Sequence, residues 1–573
     1  MSGRERLAPP VALVAAALVA YLAFACPFVL GGDQGEFTAL FTLGGVAHPP
    51  GYPLWTLLLR ALSWMPGSTP SLAAARATAV VGAIAVGVLF AACRSWGASR
   101  GASVVACVVY AFAPLTWIYA TQAEVFTLNA ALCSALLALA GPGCALRGER
   151  RIVAAGLVVG LGLSHHPTFL AMGPIAILAL VRGWGELGGG GRVRSSLLGA
   201  AALVLGLAPY DYAVWASQHP QGLWVWGGPM DPAGLLHHVL RTEFWQLRAE
   251  DTREPVPGAH LSALGHSLAV ATLVVGLPVA MVGLVRGFLR DRGGAIAITA
   301  CWLLAGPAVL AMLIGKPVGI YALIIERMHI LPLLILSVPL AWGADLLLEQ
   351  APRDAREWIA AVAAIGVMAV DTWRVPPRIE EYERPTVEHY LQDTLSDLPP
   401  LALLVGVGDH RFFGFLVEQR VLGLRPDVVY VDAGMLRADW YRARVAAALG
   451  DGVQVTSDPR QLVAVEARSG RQVYLTDSVD LLLPAGFETM ALGTVMKVLP
   501  PGAPLLAPED LERTNLELAR GQHRDPTRPE DPWSWAGEAD GTYATPWIAL
   551  ASAYGSRGDT AAASRCLGRA GSR

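Results

Sequence analysis

Two carboxylates, Asp33 and Glu36, lie three residues apart just after a long apolar run, VALVAAALVAYLAFACPFVL. A carboxylate at the end of a membrane helix lies where lipid meets water, and it can accept the proton of a hydroxyl on a substrate with one polar and one apolar end. The same two residues also fit a capping box, in which Asp33 caps a helix and Glu36 bonds back to the cap. The residue types alone leave both interpretations open.

A second acidic position, Glu124, lies with Gln122 in the aromatic-rich stretch TWIYATQAEVFTL. The apolar runs on both sides of this stretch predict a turn between two helices. A glutamate in such a turn is either a solvated loop charge or a member of a polar site.

Two adjacent histidines, His165 and His166, join two unusually short apolar segments, 151–164 and 167–182. A polar turn at membrane depth is tolerated where it lines a cavity, so the histidines indicate a site. The alternatives are that a histidine caps a neighbouring helix or bonds to a backbone carbonyl.

An ionisable cluster of Glu326, Arg327 and His329 lies at one end of a later apolar segment, and Pro332 follows it. Ionisable residues at such a boundary are energetically costly, which indicates function. The alternative is an arginine that reaches towards the membrane surface and pairs with Glu326.

The elements that must position these residues are membrane helices. Of the 573 residues, 54% are hydrophobic and only 16% are charged, which excludes an ordinary soluble domain. The net charge of −3 and the lack of a basic stripe in the sequence exclude a nucleic-acid partner. The seven cysteines show no CxxC spacing, so the sequence indicates neither a disulfide framework nor a metal site, and we expect no cofactor.

About eleven membrane spans are predicted from apolar runs of about 20 residues. They lie near 10–30, 72–93, 101–118, 124–145, 151–164, 167–182, 195–216, 261–286, 294–314, 323–348 and 356–373. The apolar run of the first span is too long for a signal peptide and has no A-x-A cleavage site, so we expect it to stay uncleaved.

Arginines occur in every second connecting loop. They are Arg4, Arg6, Arg94, Arg100, Arg147, Arg150, Arg151, Arg182, Arg192, Arg194, Arg286, Arg290, Arg292, Arg353 and Arg356. By the positive-inside rule these loops and the N-terminus are cytoplasmic. We therefore predict a multi-pass protein of the cell (inner) membrane, with the Asp33 loop, the loop 217–260 and residues after about 374 on the exoplasmic or periplasmic side.

The chain becomes charged and rich in turns beyond Trp373. Short β-branched runs at 401–409, 427–433 and 471–477 alternate with helical patterns at 411–421 and 435–449, which predicts a small α/β unit with a parallel sheet. The spacing of six residues near the C-terminus predicts a tetratricopeptide-like helical hairpin packed on helices of 507–530. They are Trp547, Leu550, Tyr554, Ala563, Leu567 and Ala570. We expect three parts: a transmembrane domain at 1–373, an exoplasmic α/β domain at 374–505 and a helical tail at 506–573.

Two blocks of the sequence stand out as signatures. The first block comprises Asp33, Gly35, Glu36, Phe37, Thr42, Leu43, Gly44, Ala47, His48, Pro49, Pro50, Gly51, Tyr52, Pro53 and Leu54. The second comprises Gly408, Asp409, Arg425, Pro426, Asp427, Val428, Val431, Leu436, Asp439, Trp440 and Tyr441. Both blocks resemble the signatures of one membrane family, the DUF2723 or protein O-mannosyltransferase-like family, whose fold is similar to the GT-C class of multi-spanning glycosyltransferases. The chain departs from the family at His410, where many members have asparagine. Four residues separate Arg327 from Pro332, one more than in the similar GT-C pattern.

The resemblance implies roles for the candidate residues. Asp33 would be the general base, and Glu36 would orient Asp33 or the acceptor. A donor phosphate would bind to Arg327 and to His165 or His166. His48, Tyr52, Gln122 and Glu124 would line the substrate groove, and no metal is implied.

The fold expected from these features is mainly α: a GT-C-like polytopic membrane protein followed by an exoplasmic α/β domain and a helical hairpin. The implied activity is inverting transfer of a sugar, most simply a mannose-like hexose, from a polyprenyl-phosphate donor. The implied partners are that lipid-linked donor, a protein or glycan acceptor and the bilayer. A transporter or flippase of lipid-linked glycans is the alternative, because it also needs polar residues and broken helices within the membrane.

Overall fold

The computed structural model describes residues 3–187, 191–242, 254–450, 452–476, 479–525, 527–528 and 530–571. The chain is mainly helical and forms two compact units. The membrane unit comprises Met1–Pro27 and Leu40–Tyr382, and the C-terminal unit comprises Phe28–Ala39 and Glu383–Arg573. Residues 243–253 of the predicted outer loop 217–260 lie outside the described residues.

The membrane unit is built almost entirely from helices. Its α-helices are Gly3–Ala23, Pro53–Ala61, Pro70–Ser95, Arg100–Phe112, Pro114–Ala120, Phe126–Ala140, Gly148–Leu163, Gly173–Gly185, Arg192–Gly206, Pro209–Gln218, Pro232–Val239, Pro257–Ala271, Gly276–Arg290, Arg292–Leu303, Val309–Ala311, Ile320–Glu326, Ile330–Glu349 and Arg356–Tyr382. Short 3-10 turns at Pro167–Met172 and Arg327–His329 and a π turn at Leu304–Ala308 join some of them.

The described part of the chain contains six helical stretches long and apolar enough to cross a membrane, or up to eight if two bent helix pairs each count as one span. The six are Pro70–Ser95, Pro167–Gly185, Arg192–Gln218, Arg292–Ala311, Ile320–Glu349 and Arg356–Asp397. The two pairs are Arg100–Phe112 with Pro114–Ala120 and Pro257–Ala271 with Gly276–Arg290. This confirms the predicted membrane character, whereas the predicted count of eleven is not confirmed.

The difference in count arises where the sequence ends or bends a helix. Three helices end before a proline-containing stretch. Gly3–Ala23 ends before Pro27, Phe126–Ala140 ends before Gly141-Pro142, and Gly148–Leu163 ends before His165-His166-Pro167. A helix of 15 residues, such as Phe126–Ala140, is about 22 Å long, which is short of a hydrocarbon core of about 30 Å.

The two bent pairs have local causes. Pro114 begins a new helix at a 62° bend, because proline cannot continue the preceding hydrogen-bond ladder. The 97° bend follows Leu273 and Val274, which have φ angles of 53° and 64° that end a right-handed helix. The predicted spans at 101–118 and 261–286 are therefore broken.

Glycines bring membrane helices into backbone contact. A Cβ on Gly156 would collide with the carbonyl of Gly199 in Arg192–Gly206, and one on Gly283 would collide with the carbonyl of Pro339 in Ile330–Glu349. Small residues at such crossings allow the close packing that holds helices together in lipid.

One two-residue strand pair lies beside the first signature block. Strand β1 (Gly45–Val46) pairs in parallel with β2 (Trp224–Val225). Gly45 has φ 118°, and a Cβ there would collide with the Trp224 carbonyl, so only glycine fits.

The C-terminal unit contains a five-stranded sheet in the order β4-β3-β5-β7-β6. The strands are β3 (Leu403–Gly406), β4 (Val429–Asp432), β5 (Val473–Leu475), β6 (Glu488–Leu492) and β7 (Val495–Leu499). Its helices are Thr386–Asp397, Asp409–Leu416, Asp439–Leu449, Pro459–Arg468, Val479–Leu482, Pro508–Ala519, Trp535–Thr542, Thr545–Ser556 and Thr560–Ala570. The first residues of the helix Gln34–Leu43, up to Ala39, also group with this unit. A π turn lies at Val417–Val421 and a 3-10 turn at Gly434–Arg437.

The sheet is mixed, whereas a parallel sheet was predicted. β3 pairs in parallel with β4 and β5, as the alternation of strands and helices indicates. The β6–β7 hairpin adds an antiparallel edge, because β7 runs against β5. Only Gly493 and Thr494 separate β6 from β7, which is too short a connection for a parallel crossover.

A helical hairpin is present near the C-terminus, as predicted. Helices Thr545–Ser556 and Thr560–Ala570 share a buried core that includes Trp547, Leu550 and Tyr554 and contacts Leu511 and Leu516 of Pro508–Ala519. This confirms the predicted packing on 507–530. Leu567, one of the six residues of the predicted spacing, is 55% exposed, and the neighbouring Cys566 is buried. The identity of this hairpin as a tetratricopeptide-like unit stays a prediction.

Candidate functional site

A buried ion pair joins two turns of the membrane unit. Glu124 lies between the helices Pro114–Ala120 and Phe126–Ala140, and Arg327 begins the 3-10 turn Arg327–His329. The Nη1 atom of Arg327 lies 3.1 Å from Oε1 of Glu124, and the two side chains are 8% and 4% exposed. Glu124 is therefore no solvated loop charge, and Arg327 has a partner from a distant turn that sequence reasoning missed.

The two adjacent histidines make different contacts. The Nε2–H of His165 donates to the Val125 carbonyl at 2.9 Å. The Nδ1 atom of His166 accepts from the Thr168 amide at 3.2 Å and so caps the turn Pro167–Met172. Each histidine therefore fits one of the two structural alternatives: His165 bonds to a backbone carbonyl, and His166 caps a helical turn. Both histidines are buried.

The cap contact also determines which nitrogen of His166 carries the proton. A neutral imidazole that accepts at Nδ1 must hold its hydrogen at Nε2. The Thr168 hydroxyl lies 2.7 Å from the same Nδ1 and accepts from Asn129 at 3.1 Å. His166 therefore keeps an Nε2–H group that can donate to an anion. We call Glu124, Asn129, His166, Thr168 and Arg327 the polar cluster.

A narrow cleft of about 10 Å³, which is about the space of one water molecule, lies beside the polar cluster. Arg327, Thr168 and Asn129 line its polar side. Its apolar side comprises Phe126, Ala130, Met328, Ile330, Leu331 and Leu334. A ligand with a charged head and an apolar chain matches such a lining.

Aromatic side chains connect the first signature block to the histidines. The Tyr52 ring lies 5.3 Å from His48 and 5.7 Å from His166, centroid to centroid. Tyr52 has φ 42°, an uncommon value for a non-glycine residue, and is buried. Gln122 is also buried, two residues before Glu124. The structure thus brings together His48, Tyr52, Glu124, His165, His166 and Arg327 in the membrane unit.

Some residues of this region were missed by sequence reasoning. Asn129 and Thr168 complete the polar cluster, and the Arg241 charge acts on His166. The ring centroid of Trp55 lies 6.2 Å from that of His165. Thr168 follows the His-His-Pro turn directly, where a hydroxyl can bond locally, so this one had a signal in the sequence.

Asp33 and Glu36 belong to the C-terminal unit, in the segment 28–39. Asp33 begins the turn of Gln34–Leu43, since its carbonyl accepts from the Phe37 amide at 3.2 Å. Glu36 is fully buried, while Asp33 is partly exposed. The intervening Gln34 holds the segment by bonds to the Leu30 amide and the Phe28 carbonyl.

The segment 28–39 packs closely on the C-terminal unit. A Cβ on Gly35 would lie 2.9 Å from the carbonyl of Phe413, and one on Gly31 would collide with Trp535. The Val29 amide donates to Oε2 of Glu388 at 2.7 Å. Gly35 of the first signature block and Gly31 before it are therefore needed for packing.

Residues of the second signature block make hydrogen bonds and an ion pair within the C-terminal unit. Arg425 pairs with Asp427 at 2.8 Å and donates to the carbonyls of Leu395, Leu398 and Pro399. The Tyr441 hydroxyl accepts from the amide of Asp432, the last residue of β4. These contacts account for three signature residues structurally.

A buried carboxylate lies at the carboxyl end of the parallel strands. Asp432 accepts from the amides of Gly408 and Met435, both at 3.1 Å. Burial raises the pKa of Asp432 to about 6, while these backbone bonds act in the opposite direction. His410, which stands where many family members have asparagine, is buried 3.8 Å from Glu538.

Among the described residues, no group of three or more His, Cys, Asp or Glu side chains is arranged to hold a metal ion.

Comparison with known proteins gives similarities in sequence and in fold. The family described as the protein O-mannosyl-transferase TMEM260 N-terminal domain matches residues 33–184. Protein O-mannosyl-transferase TMEM260 of Mus musculus is 26% identical over 445 residues, which are 73% of this chain and 61% of that protein. The Dictyostelium discoideum protein of the same name is 26% identical over 280 residues, 45% of this chain and 34% of that protein. The chain thus spans about three fifths and one third of these relatives.

The crystal structure of ArnT from Cupriavidus metallidurans bound to undecaprenyl phosphate is similar in fold. Its TM-score is 0.52 at 15% sequence identity, and the match covers 85% of this chain and 97% of ArnT. The predicted GT-C-like fold is confirmed at this level.

Proposed function

We propose that the protein is a membrane glycosyltransferase that moves a sugar, most simply a mannose-like hexose, from a polyprenyl-phosphate donor to a hydroxyl of a protein or glycan acceptor on the exoplasmic side. The observation that carries this proposal is the buried Glu124–Arg327 pair, whose arginine lines a narrow cleft together with apolar side chains. A buried cation beside apolar side chains is suited to a phosphate that is attached to a lipid chain.

The polar cluster supplies two donors for the phosphate. Arg327 offers a guanidinium charge, and within the protein this group donates from Nη1 to Glu124 and from Nε to the Ile324 carbonyl. His166 offers the Nε2–H that its contacts with Thr168 leave available. Ile330, Leu331 and Leu334 would contact the first part of the polyprenyl chain. His165 would hold the turn through Val125, and His48 and Tyr52 would shape the groove.

The comparisons support the same reaction class. Both curated relatives bear the name protein O-mannosyl-transferase, and the structural neighbour ArnT was crystallised with undecaprenyl phosphate. A mannose-like sugar and a polyprenyl-phosphate donor are therefore the simplest assignments.

The reaction is a single displacement. The acceptor oxygen attacks the anomeric carbon, and the bond from that carbon to the phosphate oxygen breaks. The lipid phosphate leaves with the bonding electrons, Arg327 and His166 offset its charge, and the anomeric configuration inverts. Asp33 takes the proton of the acceptor hydroxyl. Its partial exposure favours this role, and the buried Glu36 orients Asp33 or the acceptor.

The first test replaces the two carboxylates separately. Asp33→Asn keeps a good N-cap oxygen, so a residue that only caps the helix should lose little activity. As the base, Asp33→Asn should lose about two to four decades of turnover at an unchanged melting temperature. The measurement is transfer of labelled sugar from the lipid donor by the purified variants, with Glu36→Gln alongside.

Asp211→Asn, which changes an exposed carboxylate of the membrane unit, is the control and should keep normal turnover. A stable Asp33→Asn protein with near-normal turnover would rule out the assignment of Asp33. Transport of the intact lipid-linked glycan across vesicles, without transfer of its sugar, would favour the flippase alternative.

A further inference from the structure

A cavity of about 350 Å³ lies in the membrane unit where the ends of several helices meet. It is bordered by the last turns of Pro70–Ser95, Gly276–Arg290 and Ile330–Glu349 and the first turn of Arg356–Tyr382. Five arginines line it: Arg94, Arg286, Arg290, Arg353 and Arg356. Three carboxylates, Asp345, Glu349 and Glu357, oppose them and leave two positive charges in excess.

Several of these charges are already engaged within the protein. Arg286 is buried and forms a two-pronged pair with Glu349, one N–O distance of which is 2.9 Å. Arg356 donates to the carbonyls of Ala351 and Glu349, and Asp345 accepts from the Ser99 amide at 2.9 Å. These contacts hold the cavity wall in place.

Two arginines remain available to a ligand. The Arg290 side chain is 59% exposed and lies 3.9 Å from Glu349, beyond hydrogen-bond distance. Arg353 also lines the cavity and is exposed. The cavity thus offers two guanidinium groups, which bind phosphate oxygens well because of their planar arrangement of donors.

The surroundings of the cavity are apolar and face outwards. Leu289, Leu347 and Trp358, on three of the helices that border it, are 84%, 62% and 69% exposed. In a membrane protein such side chains face acyl chains, and tryptophan is common at the level of the lipid headgroups. An anion held here would lie at the edge of the bilayer.

We propose that this cavity binds a phosphate anion, presented as the headgroup of an anionic phospholipid of the bilayer. Basic pockets between membrane helices are suited to such headgroups, because the arginines neutralise the phosphate while the acyl chains stay in lipid. Its lining residues are all different from those of the polar cluster. The predicted orientation places it on the cytoplasmic face.

The test measures lipid binding by the purified full chain in a neutral detergent. Phosphatidylglycerol should raise the melting temperature and remain bound in native mass spectra, and added salt should weaken both effects. Arg290→Gln/Arg353→Gln should weaken phosphatidylglycerol binding at least about tenfold. Arg290→Lys/Arg353→Lys should retain part of the affinity, because charge is kept while the planar donors are lost.

The matched control is Arg192→Gln/Arg194→Gln, which removes two exposed arginines from a different predicted cytoplasmic loop. It should bind phosphatidylglycerol as the unchanged protein does. Inorganic phosphate and phosphatidylcholine are tested in the same way, for comparison with phosphatidylglycerol. Equal stabilisation by inorganic phosphate would keep the anion site but overturn the lipid as its source.

Wild-type binding by the Arg290/Arg353 glutamine variant would overturn the site. An equal loss in the Arg192/Arg194 variant would also overturn it, because binding would then follow surface charge in general. Each variant is compared with its own melting temperature in the absence of lipid, so a folding defect is recognised separately.

Discussion

The pairing of Glu124 with Arg327 ties the stability of the membrane unit to its proposed donor site. Each side chain is almost fully buried, so either charge alone would lack solvation. Removing one partner of a buried pair typically costs about 3–5 kcal/mol, because the other charge is left uncompensated. A change at Arg327 alone would therefore mix a folding effect with a binding effect.

A double substitution separates these effects. Arg327→Gln should lower stability by roughly 3–5 kcal/mol, and Glu124→Gln/Arg327→Gln should recover most of that loss because neither charge remains. The double variant should still bind the polyprenyl-phosphate donor about one to two decades more weakly. Melting temperature and donor affinity are measured on the same samples. Normal donor affinity in the double variant would leave the pair with a structural role only.

At the scale of elements, the segment 28–39 depends on close backbone packing within the C-terminal unit. Gly35 lies against the backbone of Phe413, and backbone cannot move aside as a flexible side chain can. The segment carries both Asp33 and Glu36, so its position determines where these carboxylates point.

Gly35→Ala should therefore cost roughly 1–3 kcal/mol of stability through overpacking and should reduce sugar transfer as well. The control is Gly366→Ala, in the helix Arg356–Tyr382, because a Cβ there has nothing within 4 Å. Melting and turnover of the two variants are compared. Equal behaviour of both alanine variants would show that the contact with Phe413 is unimportant.

A buried glutamate makes the C-terminal unit sensitive to pH. Glu418 lies in the π turn Val417–Val421, and burial together with the charge of Glu388 raises its pKa to about 8, against the weaker effect of a hydrogen bond from Gln392. In the unfolded chain its pKa is near 4.5, so the folded state binds an extra proton between these values. Stability should fall as the pH rises from about 4.5 to about 8.

Glu418→Gln should remove this dependence, because the amide stays neutral while keeping the shape of the protonated acid. The variant should melt several degrees higher than the unchanged protein near pH 9 and show little difference near pH 5. Glu509→Gln, on an exposed glutamate of the same unit, is the control. Parallel melting curves for Glu418→Gln and the unchanged protein from pH 5 to 9 would contradict the pKa assignment.

At the scale of the whole molecule, the arginine loops predict the orientation in the membrane. Arginines of three of these loops, Arg94, Arg290 and Arg353, meet at one cavity, as expected if the loops share a face. Which side of the membrane this face occupies is a prediction from the positive-inside rule.

Single cysteines test the orientation in intact cells. An impermeant thiol reagent should label Ser469→Cys in the C-terminal unit and should leave Arg194→Cys unlabelled until the cells are opened. Both positions are exposed, whereas the seven native cysteines are buried, so background labelling should be low. The reverse labelling pattern would contradict the predicted orientation and place the proposed transfer on the cytoplasmic side.

The sequence by itself determined the features that depend on local pattern. Apolar runs and Arg-containing loops indicated a multi-spanning protein, and alternating strands and helices indicated the parallel part of the sheet. The polar turn at His165-His166-Pro167 and the carboxylates Asp33 and Glu36 were visible as candidates, because local residue types and spacing carry that information. The ends of short helices were harder to place, since glycine and proline shorten a helix inside a continuous apolar run.

Only the tertiary structure decided which candidates lie together. Glu124 and Arg327 are 203 residues apart in the chain, and no local periodicity links them. The grouping of residues 28–39 with the C-terminal unit and the antiparallel addition of β7 to β5 likewise depend on packing between distant segments. Local sequence sets the backbone dihedrals and the apolar face of each element, whereas long-range pairing is selected by complementary shape and by the need to compensate every buried charge.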